Sequence, residues 1–254
     1  MGDNKLFQAQ AGWLRPAIEA LSAAGVEVLV PTEEEPGVVN LRPVTFPDEV
    51  TFEYDNVLLP LKEVFLPRSE VLMEYEKAEG GDVHLRSAPP PSGETVVMGC
   101  RPCDAAALEM LDKVFQWDYD DMPYRTKREN ATVVSWACTA PGAQCFCTSV
   151  GGSPHDERGS DVLVFLRDGG DALMQVYTDK GERFIERLGD CVQPAPADTQ
   201  LPAPPELERK FDTEKIKGWL DENFENEFWT DISLRCLGCG ACSYLCPTCH
   251  CFDI

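Results

Sequence analysis

Four cysteines stand close together in Cys236-Leu-Gly-Cys239-Gly-Ala-Cys242-Ser-Tyr-Leu-Cys246-Pro247, the pattern C-x2-C-x2-C-x3-C-P. That spacing holds a [4Fe–4S] cluster in bacterial ferredoxins. Three thiolates two residues apart reach around one corner of a cubane only where the backbone turns tightly between them. Gly238 and Gly240 supply the turn, because glycine enters positive φ without steric cost and lets amide N–H groups approach sulfur. Pro247 then ends any helix running through Cys246. A structural zinc site is the competing reading. Zinc modules separate two cysteine pairs by about a dozen residues or more, whereas all four sulfurs here fall between Cys236 and Cys246, so the spacing favours the cluster. Cys242-x3-Cys246-x2-Cys249 also matches the pattern of enzymes that cleave S-adenosylmethionine at a cluster. Those enzymes build a large barrel after it; with only Cys251 to Ile254 following, the match is expected to be incidental.

A second group of cysteines is spread along the chain. Cys103 lies in Gly99-Cys-Arg-Pro-Cys-Asp104 between an expected strand and helix, Cys138 ends the next strand, and Cys145 and Cys147 precede Gly151-Gly-Ser-Pro154. Loops that follow the strands of an α/β sheet converge at one edge, where ligand sites form. Cys103, Cys138, Cys145 and Cys147 could therefore meet around a second metal centre, with Cys100 as a spare, and a second [4Fe–4S] cluster is favoured over zinc there. Alternatively some are buried thiols behaving as small hydrophobes. Of the three histidines, His84 and His155 fall in polar loop contexts and are read as solvated. His250, between Cys249 and Cys251, could tune or ligate a cluster, though an incidental role is the simpler reading.

The elements that must position these thiols follow from periodicity. Leu14 onward reads as an amphipathic helix, broken at Gly25 before the strand Val26–Val30. Pro31 to Pro47 reads as loop and edge strand, and Asn56 to Pro67 as a partly buried segment barred from a central strand by Pro60 and Pro67. Ser69 is placed to cap a helix through Lys77, with a surface loop from Gly80 to Gly93. Thr95–Met98 and Ala131–Trp136 are β-branched strands. Asp104–Phe115 has helical spacing, with Asp104 as its cap. Asp161–Leu166 and Ala172–Tyr177 form a hairpin around Asp168-Gly-Gly170, followed by a helix from Lys180 to Leu188. The expected fold is α+β, a mixed α/β domain over 1–192 with a possible metal site. A Pro/Ala-rich linker follows over 193–205. Residues 206–254 form a helical stretch, with Phe211, Ile216, Trp219, Leu220 and Phe224 on one face, and a small C-terminal ferredoxin-like iron–sulfur segment.

The 254 residues are 43% hydrophobic and 26% charged, ordinary for a globular protein, and no stretch has the length of a membrane span. A net charge of −22 argues against nucleic-acid and anionic-membrane partners. Twelve cysteines without a secretory leader point to metal ligands in a reducing cytoplasm.

Together these segments resemble a known family: the iron–sulfur β subunits of cytoplasmic NiFe sulfhydrogenases and the related iron–sulfur subunit of anaerobic sulfite reductase. The resemblance rests on Pro60-Leu-Lys-Glu-Val-Phe-Leu-Pro67, Gly99-Cys-Arg-Pro-Cys-Asp104, Tyr124-Arg-Thr-Lys-Arg-Glu-Asn130, Cys145-Phe-Cys-Thr-Ser-Val-Gly-Gly-Ser-Pro154 and the segment from Cys236 to Asp253. It implies an electron-transfer subunit with no catalytic centre of its own, working between a flavin subunit that uses NAD(P)H and a catalytic hydrogenase- or sulfite-reductase-like subunit. The family continues into a second ferredoxin run that this sequence does not carry, as a truncated or split form would. Either Cys236, Cys239, Cys242 and Cys246 close on one cluster, or the first three take a ligand from Cys249, Cys251 or a partner chain. The alternative reading is a self-contained reductase binding flavin or a small substrate, with Arg101, Arg125 and Arg128 gripping an anionic group. A zinc-stapled structural subunit is the third.

Overall fold

The computed structural model describes residues 5–44, 49–77, 81–89 and 92–250 of the chain. Short β-branched runs make its centre. Four strands run parallel: β2 (Glu27–Glu35), β6 (Thr95–Cys100), β7 (Ala131–Trp136) and β8 (Val162–Leu166). Antiparallel strands extend both sides, with β3 (Val38–Pro43) on β2, and β9 (Ala172–Val176), β1 (Lys5–Ala9) and β10 (Gln193–Pro194) beyond β8. The result is one eight-stranded mixed sheet in the order β10-β1-β9-β8-β7-β6-β2-β3.

Because side chains alternate across a strand, each central strand feeds two cores. Val96, Met98, Val134, Trp136, Val162 and Val164 face one side, where α1 (Leu14–Ala23) and α5 (Asp179–Leu188) bury Ile18, Leu21, Phe184 and Leu188. Val97, Cys100 and Val133 face the other, covered by α2 (Lys62–Phe65), α3 (Pro102–Phe115) and α4 (Met122–Asn130) through Leu61, Phe65, Leu108, Leu111 and Tyr124. The mixed α/β body expected from the sequence is therefore present, as a sheet between two helical layers.

Several elements differ from expectation. Residues 73–77 and 83–87, read as the end of a helix and part of a surface loop, form a separate antiparallel ribbon of β4 (Met73–Lys77) and β5 (Val83–Ser87). Its Glu and Lys content favours helix, but its apolar residues alternate with period two across paired positions such as Tyr75 and Leu85. Arg101, not Asp104, occupies the N-cap of α3, with Pro102 next in the first turn. The proline-rich stretch after residue 192 starts as an edge strand, and Ala195 and Leu201 then pack on the sheet. Beyond it come α6 (Thr213–Glu222), α7 (Glu227–Ser233) and α8 (Ala241–Leu245), none with a fully buried side chain. Among the described residues no helix is long and apolar enough to cross a membrane.

One carboxylate staples strand to strand and to the helical layer. Asp161, 4% exposed, accepts from the Val133 N–H on β7 at 2.8 Å and from the Thr178 hydroxyl at 2.6 Å. Thr178 caps α5 by accepting from the Gly181 N–H, and the Lys180 ammonium lies 3.4 Å from Asp161. Burial pulls the Lys180 amine below its ordinary range, and Asp161 opposes that shift. Asp161→Ala would leave a buried N–H unpaired and a half-buried cation without its carboxylate. We expect a loss of about 3 kcal/mol in urea denaturation, with Asp161→Asn losing less.

Candidate metal centres

The first group of thiols lies on the segments that follow β6 and β7. Gly99 (φ 91°) sits in a register shift between β6 and β7. A Cβ there would overlap the Pro31 ring, so only glycine allows the chain to bulge and turn into α3. The Tyr54 hydroxyl donates to the Gly99 carbonyl, while the Arg101 guanidinium lies over the Tyr54 ring at 4.3 Å and donates to the Asp55 carbonyl at 2.9 Å. Cys103 thus enters in the first turn of α3, where the helix dipole favours an anionic sulfur.

The loop after β7 returns across this helix end. The Cys138 N–H donates to the Pro154 carbonyl at 3.1 Å, and His155 Nε2 bonds the Cys138 carbonyl at 3.2 Å with its ring edge-on to Phe165. His155, expected in solvent, is half-buried and braces Cys138; its site leaves the imidazole below its usual pKa because burial disfavours the charged ring. The Cys145 N–H donates to the Gly142 carbonyl, and Cys147 opens a 3-10 turn closed by the left-handed Gly151.

Gly159, at the end of the loop, presses its backbone against α3. A Cβ on Gly159 would overlap the Ala105 carbonyl, and its φ of 71° is left-handed. This close approach brings Cys103, Cys138, Cys145 and Cys147 within electrostatic reach of one another. The Cys103 thiol is pushed up to about 12, first by desolvation, then by Asp104 and then by Cys138, Cys147 and Cys145. The Cys138 and Cys147 thiols are raised as well, by burial first and by neighbouring thiols after it. Cys100, suggested as a spare ligand, is turned away: it is fully buried in the core, 3.4 Å from the Ser135 hydroxyl, and desolvation takes it to about 12.

The second group lies in the C-terminal segment. Gly238 and Gly240 adopt φ of 67° and 72°, the left-handed turns the motif requires. The Gly238 N–H donates to Cys236 Sγ at 3.4 Å, as amides do to cluster sulfurs. Cys236, Cys239 and Cys242 are exposed, Cys242 on α8, and Cys246 caps that helix before Pro247. Burial raises the Cys246 thiol, but hydrogen bonds with Thr248 and Cys249 outweigh it and bring it down to about 7. His250 stands edge-on to Phe115, its ring centroid 6.2 Å away, with Nδ1 3.3 Å from the Thr248 carbonyl. Cys251 lies outside the described residues. Among the described residues no three Cys, His, Asp or Glu side chains converge as a closed ligand set. Each group is a gathering of thiols rather than a finished cage.

Sequence reasoning passed over Lys62 and gave Asp104 only the role of a helix cap. Asp104 is buried; Oδ2 accepts from the Leu61 N–H at 2.8 Å, while Oδ1 has no hydrogen-bond partner. Burial takes its carboxyl up to about 7, with Leu61 and Lys62 pulling the other way. A lysine inside Leu58-Leu-Pro-Leu-Lys-Glu-Val-Phe-Leu66 was the available signal, since a cation in an apolar run must meet acceptors. The three arginines considered for anion binding are already engaged. Arg101 holds carbonyls, Arg125 pairs with Asp120 and Glu129, and Arg128 reaches Asp112 at 3.3 Å.

Comparison with known proteins agrees with the resemblance read from the motifs. The chain is 29% identical over 216 residues to "Sulfhydrogenase 2 subunit beta" of Pyrococcus furiosus, covering 82% of this chain and 61% of that protein. It thus spans about 61% of the length of the curated relative it matches. Among solved structures, a chain of the F420-reducing [NiFe] hydrogenase complex from Methanosarcina barkeri aligns with a TM-score of 0.44 and 10% identity, over 89% of this chain and 90% of that one. No protein-family profile matches. The chain is thus similar over most of its length to a sulfhydrogenase β subunit, the resemblance its motifs led us to expect.

The Gly159 contact gives a direct test of how the first group is held. Gly159→Ala must displace the loop from α3 and should lose about 2–4 kcal/mol in thermal or urea unfolding. In the folded fraction, Cys145 and Cys147 should react faster with a thiol reagent, whereas Gly169→Ala, at a turn with open space around it, should leave those rates unchanged.

Proposed function

We propose that this chain is an iron–sulfur electron-transfer subunit of a multisubunit oxidoreductase, active in the cytoplasm. It would relay electrons between a flavoprotein that uses NAD(P)H and a catalytic subunit of the hydrogenase or sulfite-reductase kind. In this reading Cys236, Cys239, Cys242 and Cys246 hold one [4Fe–4S] cluster in a ferredoxin-like segment. Cys103, Cys138, Cys145 and Cys147 hold a second on the α/β body.

The observation that carries the proposal is the Gly238 amide directed at Cys236 Sγ, in a run where Gly238 and Gly240 are both left-handed, a backbone already bent for sulfur ligation. The donor chemistry fits at both places. Thiolates are the ligands that iron–sulfur clusters take. A bound cluster would supply one-electron uptake and release, which asks no proton transfer of the surrounding residues. What the chain contributes is position. Gly99 and Gly159 fix the first group on the sheet edge, Gly238 and Gly240 shape the second, and His155 holds the Cys138 backbone. The elevated thiols of Cys103, Cys138 and Cys147 also suit a metal site, because metal displaces the proton that desolvation otherwise retains there. The acidic surface, at −22 overall, suits partners with basic docking faces.

Iron and acid-labile sulfide in anaerobically prepared protein test this reading. We expect about eight irons per chain, or about four if only the C-terminal segment is loaded. Cys239→Ala should remove one cluster's iron and its reduced-state EPR signal, and Cys103→Ala the other's, each leaving the remaining signal in place. Stoichiometric zinc without iron would refute the proposal.

A further inference from the structure

Lys62 is 8% exposed, and its ammonium donates to the carbonyls of Ser243 at 3.1 Å and Cys249 at 2.8 Å. One carbonyl belongs to α8 and the other to the turn after Pro247, so a single cation pins the chain on both sides of Cys246. Its neighbours reinforce the same contact. Glu63 accepts from the Tyr244 hydroxyl, and Arg68 lies over the Tyr244 ring at 5.4 Å while pairing with Glu63 at 3.4 Å. On the inner side, the preceding Leu61 N–H donates to Asp104, the residue after Cys103. Three consecutive residues at the start of α2 therefore bond Asp104, next to Cys103, and Ser243, Tyr244 and Cys249 around Cys246.

We propose that Lys62 is a positioning residue: it docks the cysteine-rich segment 236–250 onto the α/β body and sets a fixed positive charge beside the cluster that segment would hold. The second half rests on the electron-transfer reading above; the first does not. A methionine could fill the same apolar run at no desolvation cost, so packing alone does not account for an ammonium. Two inward-facing carbonyls do, and so does an anionic cluster whose negative charge grows on reduction.

The full chain and its Lys62→Met, Lys62→Gln and Lys62→Arg variants test this in two ways. In iron-free protein, amide hydrogen exchange across residues 243–250 should quicken at least tenfold in Lys62→Met, while β7 amides keep their protection, and Lys62→Arg should restore most of the loss. In anaerobically reconstituted protein, the midpoint potential of the Cys239-dependent cluster should fall in Lys62→Met and Lys62→Gln. A tenfold change in the reduction equilibrium is about 59 mV for one electron. Lys62→Gln keeps a donor and loses the charge, so it reads the charge even if Lys62→Met does not fold. Wild-type exchange in Lys62→Met and Lys62→Gln, or wild-type potential in their iron-loaded forms, overturns the inference and leaves the cluster reading standing. A chain that takes up no iron overturns that reading instead, and the exchange comparison then decides the docking by itself.

Discussion

Where Gly159 crosses the first turn of α3, two backbones meet with no room for a side chain between them. Much of the molecule's organisation depends on that approach. It draws the loop from Cys138 to Ser160 over the carboxyl ends of β6 and β7 and holds Cys145 and Cys147 near Cys103. It also closes a buried relay of hydroxyls in which Ser160 meets Ser135 at 2.6 Å, and Ser135 meets Cys100. A left-handed glycine at the contact and another in the bulge at Gly99 are local costs of about 1 kcal/mol each against alanine in regular structure. The long-range packing offsets them.

The same geometry sets the electrostatics. Desolvation disfavours the thiolates of Cys103, Cys138 and Cys147, and neighbouring thiols add to that effect. The C-terminal group behaves differently, because Cys246 shares hydrogen bonds with Thr248 and Cys249 that favour the thiolate. Two sets of cysteines in one chain are thus prepared in opposite ways. Burial raises Cys103, Cys138 and Cys147 in the first, whereas hydrogen bonds lower Cys246 in the second, whose Cys236, Cys239 and Cys242 are exposed.

How much of this was legible in the sequence depends on the range of the interaction. Thr95–Met98, Ala131–Trp136 and the hairpin around Asp168-Gly-Gly170 were readable because β-branched runs and turn glycines act locally. The left-handed pair Gly238 and Gly240 was readable for the same reason. Residues 73–77 and 83–87 misled because propensity and periodicity disagree there, and pairing across the ribbon decided the outcome. Cys103 and Cys138 could be placed at one sheet edge from strand order, but Cys100 could not be set apart, since a bulge at Gly99 determines which way it turns. Gly159 against Ala105 and Lys62 against Cys249 join residues far apart in sequence, and no local pattern announces either partner.

The C-terminal segment shows what such long-range contacts must accomplish. Helices α6 to α8 bury no side chain fully, and Trp219, Phe224, Phe228 and Leu237 remain exposed, so this stretch has too little core to order itself. What orders it is attachment. Upstream, the Lys210 N–H donates to buried Ser149 at 2.8 Å and Phe211 meets Phe146, both within the Cys145–Val150 turn. Downstream, Lys62, Glu63 and Phe115 hold residues 243–250. Each tether ends beside the body's own cysteine group, the first on the loop bearing Cys145 and Cys147 and the second on the strap that reaches Asp104. Disorder in the segment would therefore loosen the first thiol group as well as the second, and a metal that stiffened either one would tighten the other through the same two contacts.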